Sequence, residues 1–531
     1  MQDVYLSGNP QITFFKVVYR RHTNFSVEPI QQTWNGAADF GRTVTCNINR
    51  NGDLITNMYV AVKLAAQPAD LTSKPKAWGY VNRLGHAMVQ ECKVEIGGSK
   101  IDEQYGNWLN IWYELTHKVG QERGYARMIG DVPELTAVNT DALNPYQMYV
   151  PLQFWFNRNN GLALPLIALQ YHDVRVTVQF RDALACVNWE TETPSLTNLM
   201  ADCYLLIDYV YLDSEERKRF AQASHEYLIE QLQFTGSESL TAASSKYRLN
   251  FNHPSKYLIW APHLERHNTR NKWIAHAFNG DWAAARNRFA KLITLANAQN
   301  LAIAGGNVNA DKSSNVAGDL VTLVQVQNNS ALAALVAKTE VRFVVQADGD
   351  LGALKEVLDN SIVVSNNLSM ADISKTVDQL AAMGADADVL AAYTLNVVNY
   401  HNYGNFVDGS NNPCSAAKLQ LNGHDRFQTR DGYYFNYVQP FQHFSNTPAD
   451  GINVYSFALK AEDHQPTGTC NFSRIDNATL QVDCGLNNMA ADNRYVADFI
   501  GTNSNSIVNI YTVNYNVLRV MSGMAGTAYS N

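Results

Sequence analysis

Charged residues are scarce in this sequence. Asp, Glu, Lys and Arg make up 17% of its 531 residues, whereas about 25% is usual for soluble domains. A surface with so few charges is either covered with neutral polar side chains or buried against other subunits, and composition leaves both explanations open. The formal net charge of −8 disfavours a nucleic-acid coat, because neutralising phosphates needs a basic surface. We therefore predict no direct contact with nucleic acid.

The cysteines lack the spacing of a metal site or a disulfide framework. They are scattered and odd in number, and no two of them form a CxxC pair; they are Cys46, Cys92, Cys186, Cys203, Cys414, Cys470 and Cys484. This pattern is typical of reduced thiols in a cytosolic compartment. Apolar runs of the ~18 residues that a membrane helix needs are missing, as is the apolar core of a signal peptide. The sequence thus predicts neither a membrane span nor secretion.

Motifs that carry catalysis or bind metals are also missing. Residues 263–267 read His-Leu-Glu-Arg-His, which lacks HExxH spacing and a nearby third ligand. Residues 348–350 begin like a calcium loop, but the later ligand positions hold Gly352 and Asp359. We predict no catalytic residue, no metal and no cofactor. A carbohydrate-active β-sandwich enzyme stays an alternative, because a sequence does not show whether two carboxylates meet in a cleft.

Short β-rich runs separated by turn residues dominate the first half of the chain. The pair Asn51-Gly52 between two such runs is a strong hairpin signal, because both central positions of the turn favour positive φ. Predicted strands cover residues 30–34, 43–48, 54–64, 88–96, 149–156, 162–169, 172–180 and 204–212, and a helix is predicted at 107–127. Eight antiparallel strands favour a jelly roll of two packed sheets over an immunoglobulin-like sandwich.

The same order of patterns occurs a second time, and this length of chain favours two domains. Residues 30–36, 59–62, 94–98 and 204–212 resemble residues 230–236, 258–261, 419–423 and 510–518, respectively. The early pairs lie about 200 positions apart and the 94–98 pair about 325 apart, which predicts an insertion of about 125 residues. We predict an all-β fold of two consecutive eight-stranded jelly rolls with helical and loop insertions. Its parts are an arm (1–25), the first jelly roll (26–213), a linker helix (214–228) and the second jelly roll (229–531), whose insertion at about 279–400 separates its third and fourth strands.

Several segments resemble one known family. Residues 8–25, 51–54, 94–98, 164–172, 465–475 and 515–526 are similar to signatures of the major capsid proteins of nucleocytoplasmic large DNA viruses. The resemblance implies a structural protein of the virion, assembled in the host cytoplasm, whose homotrimers form pseudo-hexagonal capsomers of an icosahedral shell around an inner membrane. It also implies contacts with neighbouring capsomers, minor capsid proteins and penton proteins. A minor capsid or assembly scaffold protein of the same fold is the alternative. Two similar barrels per chain would give a trimer six corners.

The arm mixes aromatic and basic side chains, and its candidate site residues are Phe14, Phe15, Lys16, Arg20 and Arg21. A short helix here would place Lys16 and Arg20 one turn apart. One interpretation is an anchor beneath the shell that contacts minor capsid proteins or the inner membrane. The alternative is a strut packed under the chain's own first barrel, since the segment is too short for strong membrane affinity.

Overall fold

The structure is a computed structural model that describes residues 7–68, 78–118, 120–136, 142–189, 193–194, 196, 198–240, 242, 244–265, 273, 412–484 and 505–529. The predicted insertion at about 279–400 lies outside these residues, and so do the first six residues of the predicted arm.

Strands make up most of the regular structure. In chain order they are β1 (Phe25–Gln32), β2 (Thr43–Asn47), β3 (Leu54–Leu64), β4 (Trp78–Tyr80), β5 (Val89–Ile96), β6 (Ser99–Tyr105), β7 (Tyr146–Pro151), β8 (Leu164–Pro165), β9 (Val174–Phe180), β10 (Val187–Trp189), β11 (Met200–Leu212), β12 (His225–Ser239), β13 (Ser244–Arg248), β14 (Pro254–His263), β15 (Cys414–Leu421), β16 (His424–Asp425), β17 (Arg430–Asp431), β18 (Asn453–Ser456), β19 (Cys470–Asn471), β20 (Ala478–Cys484), β21 (Ile507–Met521) and β22 (Met524–Thr527).

Helical segments are short. The α-helices are Leu84–Met88, Gly106–Thr116, Glu122–Met128, Pro133–Thr136, Trp155–Arg158, Ser214–Gln222 and Gln439–His443, and a π-helix covers Tyr434–Val438. The 3₁₀ turns are Asn160–Leu162, Leu166–Ala168, Ala183–Cys186 and Phe472–Arg474. They occupy connections between strands, except for Ser214–Gln222, which joins the two halves of the chain.

The first barrel consists of two facing sheets with the strand orders β1-β11-β3-β7 and β2-β9-β5-β6. Alternate residues of each sheet point into a shared apolar core, which includes Val60 and Val62 of β3 and Val176 and Val178 of β9. This alternation is what a sandwich with one face in the core requires.

The second barrel repeats this arrangement strand for strand. Its sheets have the orders β12-β21-β14-β18 and β13-β20-β15-β16, so each of these eight strands has a counterpart in the first barrel. The counterpart hairpins β5–β6 and β15–β16 also have the same kind of turn. Both central residues have positive φ in each, Gly97-Gly98 in the first and Asn422-Gly423 in the second. The prediction of two consecutive jelly rolls is confirmed.

Three details of the sequence prediction were wrong. The predicted strand at 162–169 pairs only through Leu164–Pro165, between two 3₁₀ turns, because proline lacks the N–H that a longer ladder needs. The eighth strand is instead β6, which is too polar to stand out. The predicted helix at 107–127 is broken into two helices at residues 117–121, and β12 begins inside the range given to the linker helix.

Candidate assembly surfaces

The two barrels meet through the helix Gly106–Thr116, here called the joint helix, which is inserted between β6 and β7. Its apolar face carries Trp108, Ile111 and Leu115, at the spacing of one helix face, and each is at least 98% buried. This face packs on the outer surface of the second barrel's β12-β21-β14-β18 sheet, with the Trp108 and Tyr511 ring centroids 5.7 Å apart. The joint helix therefore closes an apolar core between the barrels.

This packing explains why β14 is buried on both faces. Leu258 and Trp260 point into the second barrel's own core, whereas Tyr257 and Ile259 point into the core beneath the joint helix. All four are fully buried. A strand that is apolar on both faces needs cover on both faces, so the second barrel depends on the first for part of its burial.

Hydrogen bonds connect the barrels around this core. The backbone N–H of Leu232 donates to Asp102 Oδ1 over 3.0 Å, and the N–H of Ala449 donates to Glu114 Oε2 over 3.2 Å. The N–H of Asn446 donates to the carbonyl of Leu115 over 3.1 Å. These bonds fix the positions of β6 and the joint helix on the second barrel, because buried donors are costly to leave unpaired.

A buried ionic cluster lies at the same junction. Glu230 of β12 contacts Lys256 of the second barrel over 2.8 Å and Arg158 of the first barrel over 3.1 Å. Burial alone would raise the pKa of Glu230, but the positive charges of Arg158 and Lys256 and a hydrogen bond from His464 lower it to about 2. Burial lowers the pKa of Lys256, and the carboxylate of Glu230 opposes that shift. The carboxylate is thus held ionised by cations from both barrels.

Asp102 shows the opposite behaviour. Burial raises the pKa of its carboxyl group to about 7, although the Leu232 N–H and the Arg158 charge partly offset the effect. Sequence reasoning missed Asp102, Glu230 and Lys256, because nothing in their local spacing indicates that residues so distant along the chain meet.

The five predicted site residues of the arm lie in exposed chain. Phe14 and Phe15 are 91% and 100% exposed, and Lys16, Arg20 and Arg21 are exposed as well. The segment has a turn at residues 14–15 and no helix, so Lys16 and Arg20 do not lie one helical turn apart. A strut packed under the first barrel would have its apolar side chains buried. Phe14 and Phe15 are exposed instead, which contradicts that alternative. The anchoring role stays a prediction.

A second exposed apolar surface lies on the second barrel. The segments Tyr434–Val438 and Gln439–His443, together called the counterpart helix, lead into β18 as the joint helix leads into β7. The large apolar side chains on and beside its outer face are Tyr433, Val438, Phe441 and Leu459, exposed by 37%, 39%, 83% and 74%. They form an apolar stripe, which on a protein surface commonly marks an interaction site.

The described residues offer little for metal or redox chemistry. His263 of the His-rich cluster is buried, and no group of three or more His, Cys, Asp or Glu side chains that could hold a metal occurs among the residues with described positions. The seven cysteines are unpaired, and burial raises the pKa of Cys46 to about 11, which keeps that thiol protonated. Within the described part of the chain, no helix combines the length and apolarity needed to cross a bilayer.

Two jelly rolls of identical strand order, fixed together by an inserted helix, define a double jelly-roll shell protein. The family model described as "Large eukaryotic DNA virus major capsid protein" matches residues 216–526, and the model "Major capsid protein N-terminus" matches residues 13–213. The chain belongs to this family of viral major capsid proteins. It is a structural component of a virion capsid and not an enzyme.

Relatives cover the chain from end to end. Capsid protein 1 of Acanthamoeba polyphaga mimivirus is 41% identical over 591 aligned positions, with 100% of this chain and 98% of the relative covered. The major capsid protein of Paramecium bursaria Chlorella virus 1 is 35% identical, with 100% and 97% covered. The solved structure entitled "PBCV-1 virus capsid, quasi-atomic model" superposes with a TM-score of 0.64 at 32% identity, covering 98% of this chain and 100% of that one.

Proposed function

We propose that three copies of this chain form a pseudo-hexagonal capsomer, and that such capsomers tile the icosahedral shell of a large DNA virus. The observation that carries the proposal is the repeated strand order of two barrels held at a fixed junction. A ring of three such chains presents six similar corners, which suits a near-hexagonal lattice. Neighbouring capsomers, minor capsid proteins and penton proteins are its expected partners, and assembly is expected in the host cytoplasm.

The mass of the purified protein tests the trimer directly. We expect light scattering at micromolar concentration to give about three times the chain mass of 59.2 kDa, and negative-stain images to have a six-cornered outline. A species with the mass of one or two chains at every concentration would overturn the proposal.

We further propose that the arm anchors the capsomer to the layer beneath the shell, either minor capsid proteins or the inner membrane. Residues 7–27 contain Lys16, Arg20 and Arg21 and neither Asp nor Glu, in a chain whose net charge is −8. Exposed aromatic side chains beside these cations suit an anionic lipid surface or an acidic protein. A single short segment binds membranes weakly, but an array of capsomers presents many arms together.

Charge reversal of the arm tests this anchoring. We expect trimers of Lys16→Glu/Arg20→Glu/Arg21→Glu to keep their mass, because these side chains are exposed, but to lose sedimentation with vesicles containing phosphatidylserine. The control Lys218→Glu/Arg219→Glu changes exposed cations of the linker helix and should sediment like the wild type. If the wild type does not sediment with these vesicles, the proposed partner of the arm is a minor capsid protein. Normal virions built from the charge-reversed chain would contradict any anchoring role.

A further inference from the structure

Two cysteines lie opposite each other at one end of the second barrel. Cys414 is the first residue of β15 and Cys484 is the last residue of β20, and the register of these antiparallel strands pairs the two directly. Both side chains belong to the core of that barrel and are 1% and 5% exposed. Among the seven cysteines, all of which the structure describes as free thiols, only these two occupy opposite positions on paired strands.

The strand pairing brings Cys414 and Cys484 within reach of a disulfide bond. Directly opposite residues of antiparallel strands have Cα atoms about 4.5 or 5.5 Å apart, and disulfides span Cα separations of about 4.4–6.8 Å. The Cβ atoms of such a pair lie about 4.5–5.5 Å apart and would approach by about 1 Å in a disulfide. Each cysteine is at the end of its strand, so this approach leaves the rest of the ladder in place.

The first barrel shows how the same place is filled without cysteine. Val89 begins β5 as Cys414 begins β15, and Phe180 ends β9 as Cys484 ends β20. Val89 and Phe180 are also opposite each other, and a register shift follows the first residue of the strand in both barrels. The first barrel therefore closes this end with two large apolar side chains, whereas the second barrel has two small thiols there.

We propose that Cys414 and Cys484 form a disulfide in the released particle, which closes this end of the second barrel covalently. Cytosolic reductants keep thiols reduced during synthesis, and the bond becomes stable once the particle has left them. It would join positions about 70 residues apart, and a link between such distant segments strongly restricts the unfolded chain. The inference goes beyond the proposed trimer, because both cysteines belong to one chain.

A peroxide is an oxidant small enough to reach these nearly buried thiols. The Cys484 sulfur attacks one oxygen of hydrogen peroxide, the O–O bond breaks, and water leaves with the thiol proton, which gives a sulfenic acid. The Cys414 sulfur then attacks that sulfur atom, the S–O bond breaks, and a second water takes the Cys414 proton. Two electrons thus pass from the two sulfur atoms to the peroxide.

Burial makes this oxidation slow. It raises the pKa of the Cys414 thiol to about 12. Burial, and then the neighbouring Cys414 thiol, also raises the pKa of Cys484. Thiolates are therefore scarce at neutral pH, and the thiolate is the reactive form. A slow reaction suits a bond that accumulates in a long-lived particle.

Peptide mapping of the intact chain tests the bond. Samples are denatured in N-ethylmaleimide and digested with trypsin, which cleaves between the two cysteines, for example after Lys418 and Arg474. We expect a linked Cys414–Cys484 peptide in particles collected from the medium and in purified protein incubated with hydrogen peroxide. Chain taken from lysates of the producing cells should have both cysteines alkylated. Free thiols in the peroxide-treated protein should fall from seven by two.

Cys470→Ala is the matched control for Cys484→Ala, because Cys470 is a half-buried thiol of the same barrel that lies opposite Ser255. Peroxide treatment should raise the midpoint of thermal unfolding by a few degrees in the wild type and in Cys470→Ala, but not in Cys484→Ala. Particles from the medium with both Cys414 and Cys484 alkylated, or oxidised protein that links other cysteines, would overturn the proposal. The map of the wild type decides this even if Cys484→Ala does not fold.

Discussion

Replacing Glu230 with Gln is expected to lower the free energy of unfolding at pH 7 by about 3–5 kcal/mol, the usual cost of breaking a buried ion pair on one side. The side chains of Glu230 and Lys256 are 6% and 1% exposed, so removing the carboxylate leaves the Lys256 and Arg158 charges without their counter-ion in a poorly solvated site. Urea unfolding at one fixed protein concentration measures the change, because oligomerisation makes stability concentration-dependent.

Glu226 supplies a matched control on the same strand. It contacts Arg519 over 2.9 Å, but the two side chains are 60% and 55% exposed. Exposed pairs contribute at most about 1 kcal/mol, since water and salt screen them, so Glu226→Gln should unfold close to the wild type. Equal losses of unfolding free energy in Glu226→Gln and Glu230→Gln would show that the buried cluster between the barrels contributes no more to stability than an exposed ion pair.

The difference in the free energy of unfolding between the wild type and Glu230→Gln should become smaller as the pH falls. The pKa of Glu230 is lowered from 4.5 to about 2 in the folded chain, so its stabilising contribution is present above pH 4.5 and is lost as the pH falls toward 2. Asp102, whose pKa is raised to about 7, acts in the opposite sense: its contribution is lost as the pH rises from about 4 through 7. Asp102 is present in both proteins, and a difference in the free energy of unfolding that widened with acid would contradict the assignment to Glu230.

Replacing Gly106 with Ala is expected to prevent accumulation of folded, soluble protein. A methyl group at this position would lie 2.1 Å from the carbonyl oxygen of His86 and 2.2 Å from that of Val89. Both contacts are with backbone, which cannot rotate away as a side chain can, so the start of the joint helix or the chain at 86–89 must shift. Either shift disturbs both barrels, and a loss of several kcal/mol approaches the total stability of a typical domain.

Gly124 is the control for this second prediction. It lies inside the helix Glu122–Met128, and a methyl group there would meet no atom within 4 Å. Gly124→Ala should therefore be neutral or stabilise by about 0.5–1 kcal/mol, because alanine favours the helix. Soluble yield and trimer content after parallel expression measure both variants, and a soluble Gly106→Ala protein with wild-type trimer content would refute the packing argument.

The sequence predicted the barrels better than it predicted their junction. Alternation in β3 and the positive-φ turns at Gly98 and Gly423 are local signals, and they identified both copies of the fold. The proposed match of residues 59–62 with 258–261 was one residue out of phase, since Tyr59 points outward and Leu258 inward; Tyr257 is the counterpart. The error arose because β14 is apolar on both faces and so has no alternation to fix its phase.

The junction itself was hidden for a different reason. β6 carries Lys100, Asp102 and Glu103, so its composition does not predict a strand. Its pairing depends on β5, and the buried position of Asp102 depends on a hydrogen bond from Leu232. Such residues are determined by tertiary contacts between distant segments, which periodicity and propensity do not contain.

Because β21 comes late in the chain, the apolar face of the joint helix stays uncovered for part of the synthesis. Its apolar face packs on Tyr511 and Val513, which leave the ribosome about 400 residues after the helix, or roughly 20–80 s later at 5–20 residues per second. For that interval Trp108 and Ile111 have no final partner and are free to bind other nascent chains. The yield of folded protein should therefore depend on the rate of translation and on chaperones that shield apolar surface, even though the folded chain itself is stable.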